Sequence, residues 1–205
     1  PALTIFADAE CAAQTYQYQA RVLSGLGLRY RVVPVAMKAG FRFHPKALLL
    51  SGPKSATLLV GSGNLTFGGW RENGEVWCRY DSDTDGTQAF AAFHRYLLEI
   101  TELCPDSETL ILEIEEGFDP NTRMWAANMA EPGILLGRAG QGRSMLERMM
   151  AVVGDADVKE LDVCAPYFDE DAEALRMLAE QLGSPATDVL VQSKRTNLLQ
   201  FAAEK

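Results

Sequence analysis

Long apolar runs are missing from this 205-residue chain. None approaches the roughly 20 residues that a bilayer-spanning helix needs, and no basic-then-apolar leader opens it. Cysteine is scarce: residues 11, 78, 104 and 164 form no C-x-x-C pair and no metal-like spacing. That scarcity predicts a reducing, cytoplasmic setting, no zinc and no other metal or cofactor. Cys78 and Cys164 lie inside strand-like runs and read as small buried hydrophobes. Histidine occurs only at positions 44 and 94. His94 falls on the apolar stripe of a helix-like segment, near Phe90 and Leu98, and reads as structural.

Net positive charge is lacking as well. The formal charge is −9, which argues against indiscriminate nucleic-acid binding. The deficit is uneven, however. Residues 1–75 hold eight Lys/Arg against four acids, a balance of +4, so the remainder carries −13. A basic first part suits an anionic substrate through local field, although charges scattered over solvated faces account for the bias equally well.

What is present suffices for a sizeable core, since 47% of residues are hydrophobic, in one large or two small domains. Leu3–Phe6 reads as a buried strand and 10–26 as a helix closed by Gly27. Strands follow at 28–35, 43–50, 56–60 and 74–80, the middle two joined by the turn-forming Ser51-Gly52-Pro53-Lys54. Thr87–Leu103 has the stripe of an amphipathic helix, and Leu110–Ile114 reads as one more strand. Helices are expected over 145–153 and over 170–182, the latter capped by Asp169, with strands over 161–165 and 188–192. Strands alternating with helices predict an α/β fold whose mixed or largely parallel β-sheet is flanked by helices.

Chemistry concentrates between Phe43 and Glu75. His44 and Lys46 stand two apart at the head of an apolar run, and residues i and i+2 of a strand share a face. Ser62 and Asn64 sit where the next apolar run relaxes into Gly61-Ser62-Gly63-Asn64. An imidazole, an ammonium and two neutral donors make a set able to bind and attack a phosphoryl group.

The combined pattern resembles the phospholipase D superfamily over about thirty residues: H-x-K at His44/Lys46, G-S-x-N at Ser62/Asn64 and N-x-E at Asn73/Glu75. The resemblance implies a metal-independent phosphodiesterase. One His attacks phosphorus to give a phosphohistidine, and a His from a second motif protonates the leaving oxygen. Lys46 and Asn64 would neutralise the non-bridging oxygens, Ser62 would donate to phosphate, and Glu75 would accept from the far nitrogen of a catalytic imidazole. On that reading His44, Lys46 and Glu75 are catalytic, and Ser62, Asn64 and Asn73 bind substrate. The usual H-x-K-x4-D continuation is broken here by Ser51. The GSGNLT spelling and Gly68-Gly69-Trp70 look more like nuclease and helicase-associated branches. DNA or RNA is therefore expected ahead of phospholipid, and a degenerate module that binds nucleic acid or protein is the non-enzymatic alternative.

Segments 3–10 and 161–169 each lead into a helix ending Leu-Gly and then a strand, a faint repeat. The first copy reaches H-x-K seventeen residues beyond its Gly; seventeen beyond Gly183 is Gln200. The expected organisation is a first phospholipase D-like repeat at 1–115, a connecting segment at 116–144, and the start of a truncated or degenerate second repeat at 145–205. Such sites join two motifs, so a homodimer or a partner half would supply the second His. Gly137–Ser144 matches a phosphate-binding loop except that Arg143 replaces Lys, and a Gly/Arg-rich hinge explains it as well. Trp70 and Trp77 flank the N-x-E signal as either a base-stacking platform or ordinary packing, and stay outside the expected site.

Overall fold

A computed structural model describes residues 3–19, 24–84, 87–129, 144–165 and 167–191. The chain is α/β and divides into two compact units, 1–140 and 141–205. Among the described residues no helix is long and apolar enough to cross a membrane.

The first unit begins with strand β1 (Leu3–Asp8), helix α1 (Ala9–Gln19) and strand β2 (Tyr30–Val35). β1 and β2 run parallel, in register from Leu3↔Tyr30 to Asp8↔Val35. Asp8 ends the strand and starts the helix: its Oδ1 accepts from Glu10 N at 3.1 Å and Cys11 N at 3.2 Å. This is the N-cap arrangement, which satisfies amides that the helix itself leaves unpaired. Pro34 is tolerated because, among the described residues, β2 pairs only with β1, so one side of its backbone has no ladder to complete.

Strands β3 (Ala47–Ser51), β4 (Ala56–Gly61) and β5 (Trp77–Asp81) form an antiparallel meander, from Ala47↔Val60 on one side and Gly61↔Trp77 on the other. The expected single mixed sheet is therefore not formed among the described residues: the parallel β1–β2 pair and this antiparallel meander are separate small sheets. β3 starts later than the sequence suggested, so His44 and Lys46 precede it. Pro45 is the reason: it has no N–H to donate to the ladder. Cys78 and Cys164 are exposed, not buried as expected. Cys78 lies on β5, a strand that pairs only with β4 among the described residues and so stands at the edge of its sheet, where side chains are left open to solvent.

The core packs α2 (Thr87–Thr101) and α3 (Ser107–Gly117) against this meander. Phe90 and Leu58 are essentially sealed, joined by Phe93, Leu97, Ile100, Phe118 and Trp125. Each such side chain contributes about 1.5–3 kcal/mol on burial. Trp125 stands 5.0 Å from Phe90 and 5.4 Å from Phe118, ring centre to ring centre, and its Nε1 donates to Gly52 O at 3.1 Å. The expected strand at 110–114 is helical instead. Leu110, Ile114 and Phe118 are buried four residues apart while Leu112 is exposed, which is helical periodicity that a five-residue window hides. α3 carries the chain across position 115, and Phe118 and Trp125 belong to the same core as α2.

The second unit contains α4 (Met145–Val153), β6 (Glu160–Cys164), α5 (Glu173–Gln181) and β7 (Ala186–Leu190). Ser144 and Glu147 form a reciprocal capping box at the start of α4. β6 and β7 pair in parallel from Glu160↔Ala186 to Cys164↔Leu190, with α5 between them in sequence, as α1 lies between β1 and β2. Asp169 Oδ2 accepts from Ala174 N at 2.9 Å at the start of α5, a counterpart of Asp8 at α1. Positions 137–143 of the Gly/Arg-rich segment, and Gln200, lie outside the described residues.

Candidate functional site

Asp8 begins the site as well as α1. While Oδ1 caps the helix, Oδ2 accepts from Phe43 N at 3.0 Å, pinning the non-strand segment that leads into His44. That bond to Phe43 is the largest influence holding the Asp8 carboxyl below its usual 3.8; burial opposes it, and Cys11 N, Arg42 and Glu10 N assist. Nothing local in the sequence signals a contact across 35 residues, so sequence reasoning missed Asp8.

His44 is exposed and Lys46 half-buried. The Lys46 ammonium lies 2.7 Å from His44 Nδ1, 2.9 Å from Nε2 and 2.9 Å from His44 O. A neutral imidazole has one acceptor nitrogen, so Nζ can donate to only one of the two ring atoms. Lys46 O accepts from Gly61 N at 3.0 Å, which ties this residue to the end of β4. Burial pulls the Lys46 ammonium below its usual 10.5, and the negative charge of Glu75 opposes that pull.

The next residue after β4 is Ser62. Its N–H donates to Val76 O at 3.0 Å, and its Oγ accepts from Val76 N at 3.1 Å while donating to Glu75 Oε2 at 2.5 Å. Asn73 Nδ2 donates to Glu75 Oε1 at 3.2 Å. The Ser62 bond first, then Asn73, with Lys46 adding attraction, hold Glu75 below its usual 4.5. Glu75 is therefore ionised at neutral pH.

Asn64 is placed by a tight turn. Its carbonyl accepts from Thr66 N at 2.7 Å, and a Cβ on Gly69 would stand 2.3 Å from the same oxygen. Gly63 is similarly confined, between Gly69 O and the Trp77 ring. The chain then passes through a single π-helical turn, Gly68–Glu72, of the kind often found at functional positions.

Lys46 and Asn64 line one cleft of about 960 Å³, whose walls include Trp70, Leu49, Phe93 and Ile100. The six expected residues thus fall into linked groups: His44 with Lys46, Glu75 with Ser62 and Asn73, and Lys46 coupled to Glu75 by charge, while Asn64 lines the same cleft as Lys46. They lie in the segments that precede β3, follow β4 and precede β5, not on one strand face. Both hydrogen bonds to the Glu75 carboxylate come from Ser62 and Asn73; among the described residues His44 is not a partner. His94 is not on the cleft. It stacks on Phe118 at 4.5 Å, 3.5 Å from Glu115, and burial pulls it below its usual 6.5 against the opposing Glu115 charge. Among the described residues no three His, Cys, Asp or Glu side chains gather as a metal ion would require.

No protein-family model, curated protein or solved structure matches this chain.

Proposed function

We propose that the chain carries one half-site of a phospholipase D-like phosphodiesterase that cleaves nucleic acid. The observation that carries the reading is the contact between the Lys46 ammonium and the His44 imidazole at the edge of a cleft that also holds Asn64. An ammonium resting on an imidazole is poised for exchange. An anionic oxygen entering the cleft draws Nζ away, and the imidazole is left free to attack phosphorus through a ring nitrogen. An N–P bond forms, the bond to the leaving oxygen breaks, and that oxygen takes a proton from a second imidazolium. Water then attacks phosphorus, gives its proton to the second imidazole, and restores His44. Lys46 and Asn64 stabilise the charge that builds on the non-bridging oxygens.

His94 lies off the cleft, so the second imidazole belongs to another polypeptide segment or a second copy. Glu75 suits the junction. Ionised, it offers about four lone-pair positions, of which Ser62 and Asn73 use two, leaving room for an imidazole N–H that it would orient and stabilise as imidazolium. The basic balance of residues 1–75 favours a polyanion. A second reading, phospholipid cleavage, is supported by the apolar walls of the cleft, Leu49, Phe93, Leu97 and Ile100 among them.

The deciding assay incubates the full-length protein with labelled single- and double-stranded DNA and RNA and with phospholipid micelles, all in EDTA. Nucleic-acid cleavage that survives EDTA and vanishes in His44→Asn is expected. Cleavage of micelles alone selects the second reading, and turnover unchanged in His44→Asn removes the assignment.

A further inference from the structure

Trp70 occupies a position that packing does not explain. It is 49% exposed, yet it lines the same cleft as Lys46 and Asn64. Buried aromatics of this unit, such as Phe90 and Trp125, are sealed in the core, whereas Trp70 is held at the surface by three constraints. Its backbone N–H donates to Thr66 O at 3.1 Å, just ahead of the π-helical turn that carries it. Its ring leans on Trp77, with centres 5.5 Å apart and planes at 50°. Trp77 in turn is wedged so closely that a Cβ on Gly61 would lie 2.5 Å from its ring. Trp77 is thus the support, and Trp70 an indole on the cleft that Lys46 and Asn64 also line, with half its surface open.

An indole in that place has a definite complement. A flat π-face beside an anion-binding ammonium and carboxamide matches a nucleotide unit, whose phosphate and base are separated by one sugar. Base–aromatic stacking tolerates any base, because each has a π-face. A base within a duplex already has both faces covered by its neighbours; an unpaired base does not.

We propose that Trp70 is a base-stacking platform, and that the substrate is single-stranded nucleic acid bound with one phosphate at Lys46 and Asn64 and an adjoining unpaired base on the Trp70 ring. This rests on the nuclease reading and narrows it.

The test uses full-length protein with fluorescently labelled oligothymidylate, an abasic strand of equal length, the oligothymidylate–oligoadenylate duplex and phospholipid micelles. Trp70→Ala should weaken binding and raise KM for oligothymidylate by roughly 5- to 150-fold, leave the abasic strand within about twofold, and erase most of the preference for single strand over duplex. Trp70→Phe, which keeps a ring, should restore most of the loss and guards against misfolding as its cause. Equal weakening on base-bearing and abasic strands, or no change on either while oligothymidylate is still cleaved, overturns the platform and spares the nuclease reading. Wild-type protein that cleaves micelles and leaves every oligonucleotide intact overturns both.

Discussion

Lys46 Nζ rests 2.7 Å from His44 Nδ1, so the cation and the nucleophile of the proposed reaction hold one another before any phosphate is bound. Burial has already weakened the hold of Lys46 on its proton. A cation that loses its proton early loses its clamp early, which sets the alkaline side of the pH profile. The rate should fall with rising pH at a value below 10.5, the usual lysine value. Lys46→Arg should move that fall to higher pH, since guanidinium does not deprotonate in the range. Lys46→Ala should lower kcat/KM by about 100- to 1000-fold, the usual cost of removing one charge-stabilising donor. A pH–rate series on the three proteins reads all of this.

Asp8 should couple stability to the placement of His44. Its two carboxylate oxygens serve α1 and Phe43 at once, and Asn offers only one acceptor oxygen beside an NH2 that meets an N–H donor. Asp8→Asn should destabilise the unit by about 1–3 kcal/mol and lower kcat through the loosened His44 segment. The carboxyl is held below 3.8 in the folded chain, so its contribution is present above that pH and disappears as pH falls through the lower folded value. The stability gap between wild type and Asp8→Asn, measured by urea denaturation, should therefore narrow in acid.

The 107–117 helix makes a sharp test of periodicity. In a strand, Leu110, Leu112 and Ile114 would share a face and cost alike when truncated. In the helix found here Leu110 and Ile114 are buried and Leu112 is 71% exposed. Ile114→Ala should cost about 2–4 kcal/mol and Leu112→Ala under about 0.5 kcal/mol in thermal or urea unfolding.

That contrast also marks how far the sequence could be read. Long periodic segments, such as the stripe of Phe90, Phe93, Leu97 and Ile100, state their own structure, and α2 lies where the pattern put it. The five-residue window at 110–114 holds too few apolar positions to separate a period of 2 from one of 3.6, and only the contact of Phe118 with the core decides it. The pairing of His44 with Lys46 was visible as an i, i+2 spacing, but its cause was not, because Pro45 bars the strand that would have produced it. Asp8 to Phe43 and Ser62 to Glu75 are tertiary contacts with no local signature. The place of Trp70 on the cleft was equally hidden, since exposure and cleft lining are properties of the folded surface.

Glycines near the site separate space from flexibility as the cause of its fixed geometry. A Cβ at Gly69 would meet Asn64 O at 2.3 Å and Asn64 N at 2.8 Å, both backbone atoms that cannot rotate away. At Gly74, between Asn73 and Glu75, a Cβ would meet nothing within 4 Å. Gly69→Ala must therefore push the 64–69 turn open, moving Asn64 away from Lys46 and Trp70 off the cleft wall, at about 1–3 kcal/mol of strain. Gly74→Ala has no such collision and should leave the melting temperature within about 2 °C. Thermal unfolding and oligonucleotide cleavage should both suffer in Gly69→Ala and neither in Gly74→Ala. Equal tolerance of the two would mean that the turn around Asn64 is not what fixes the site.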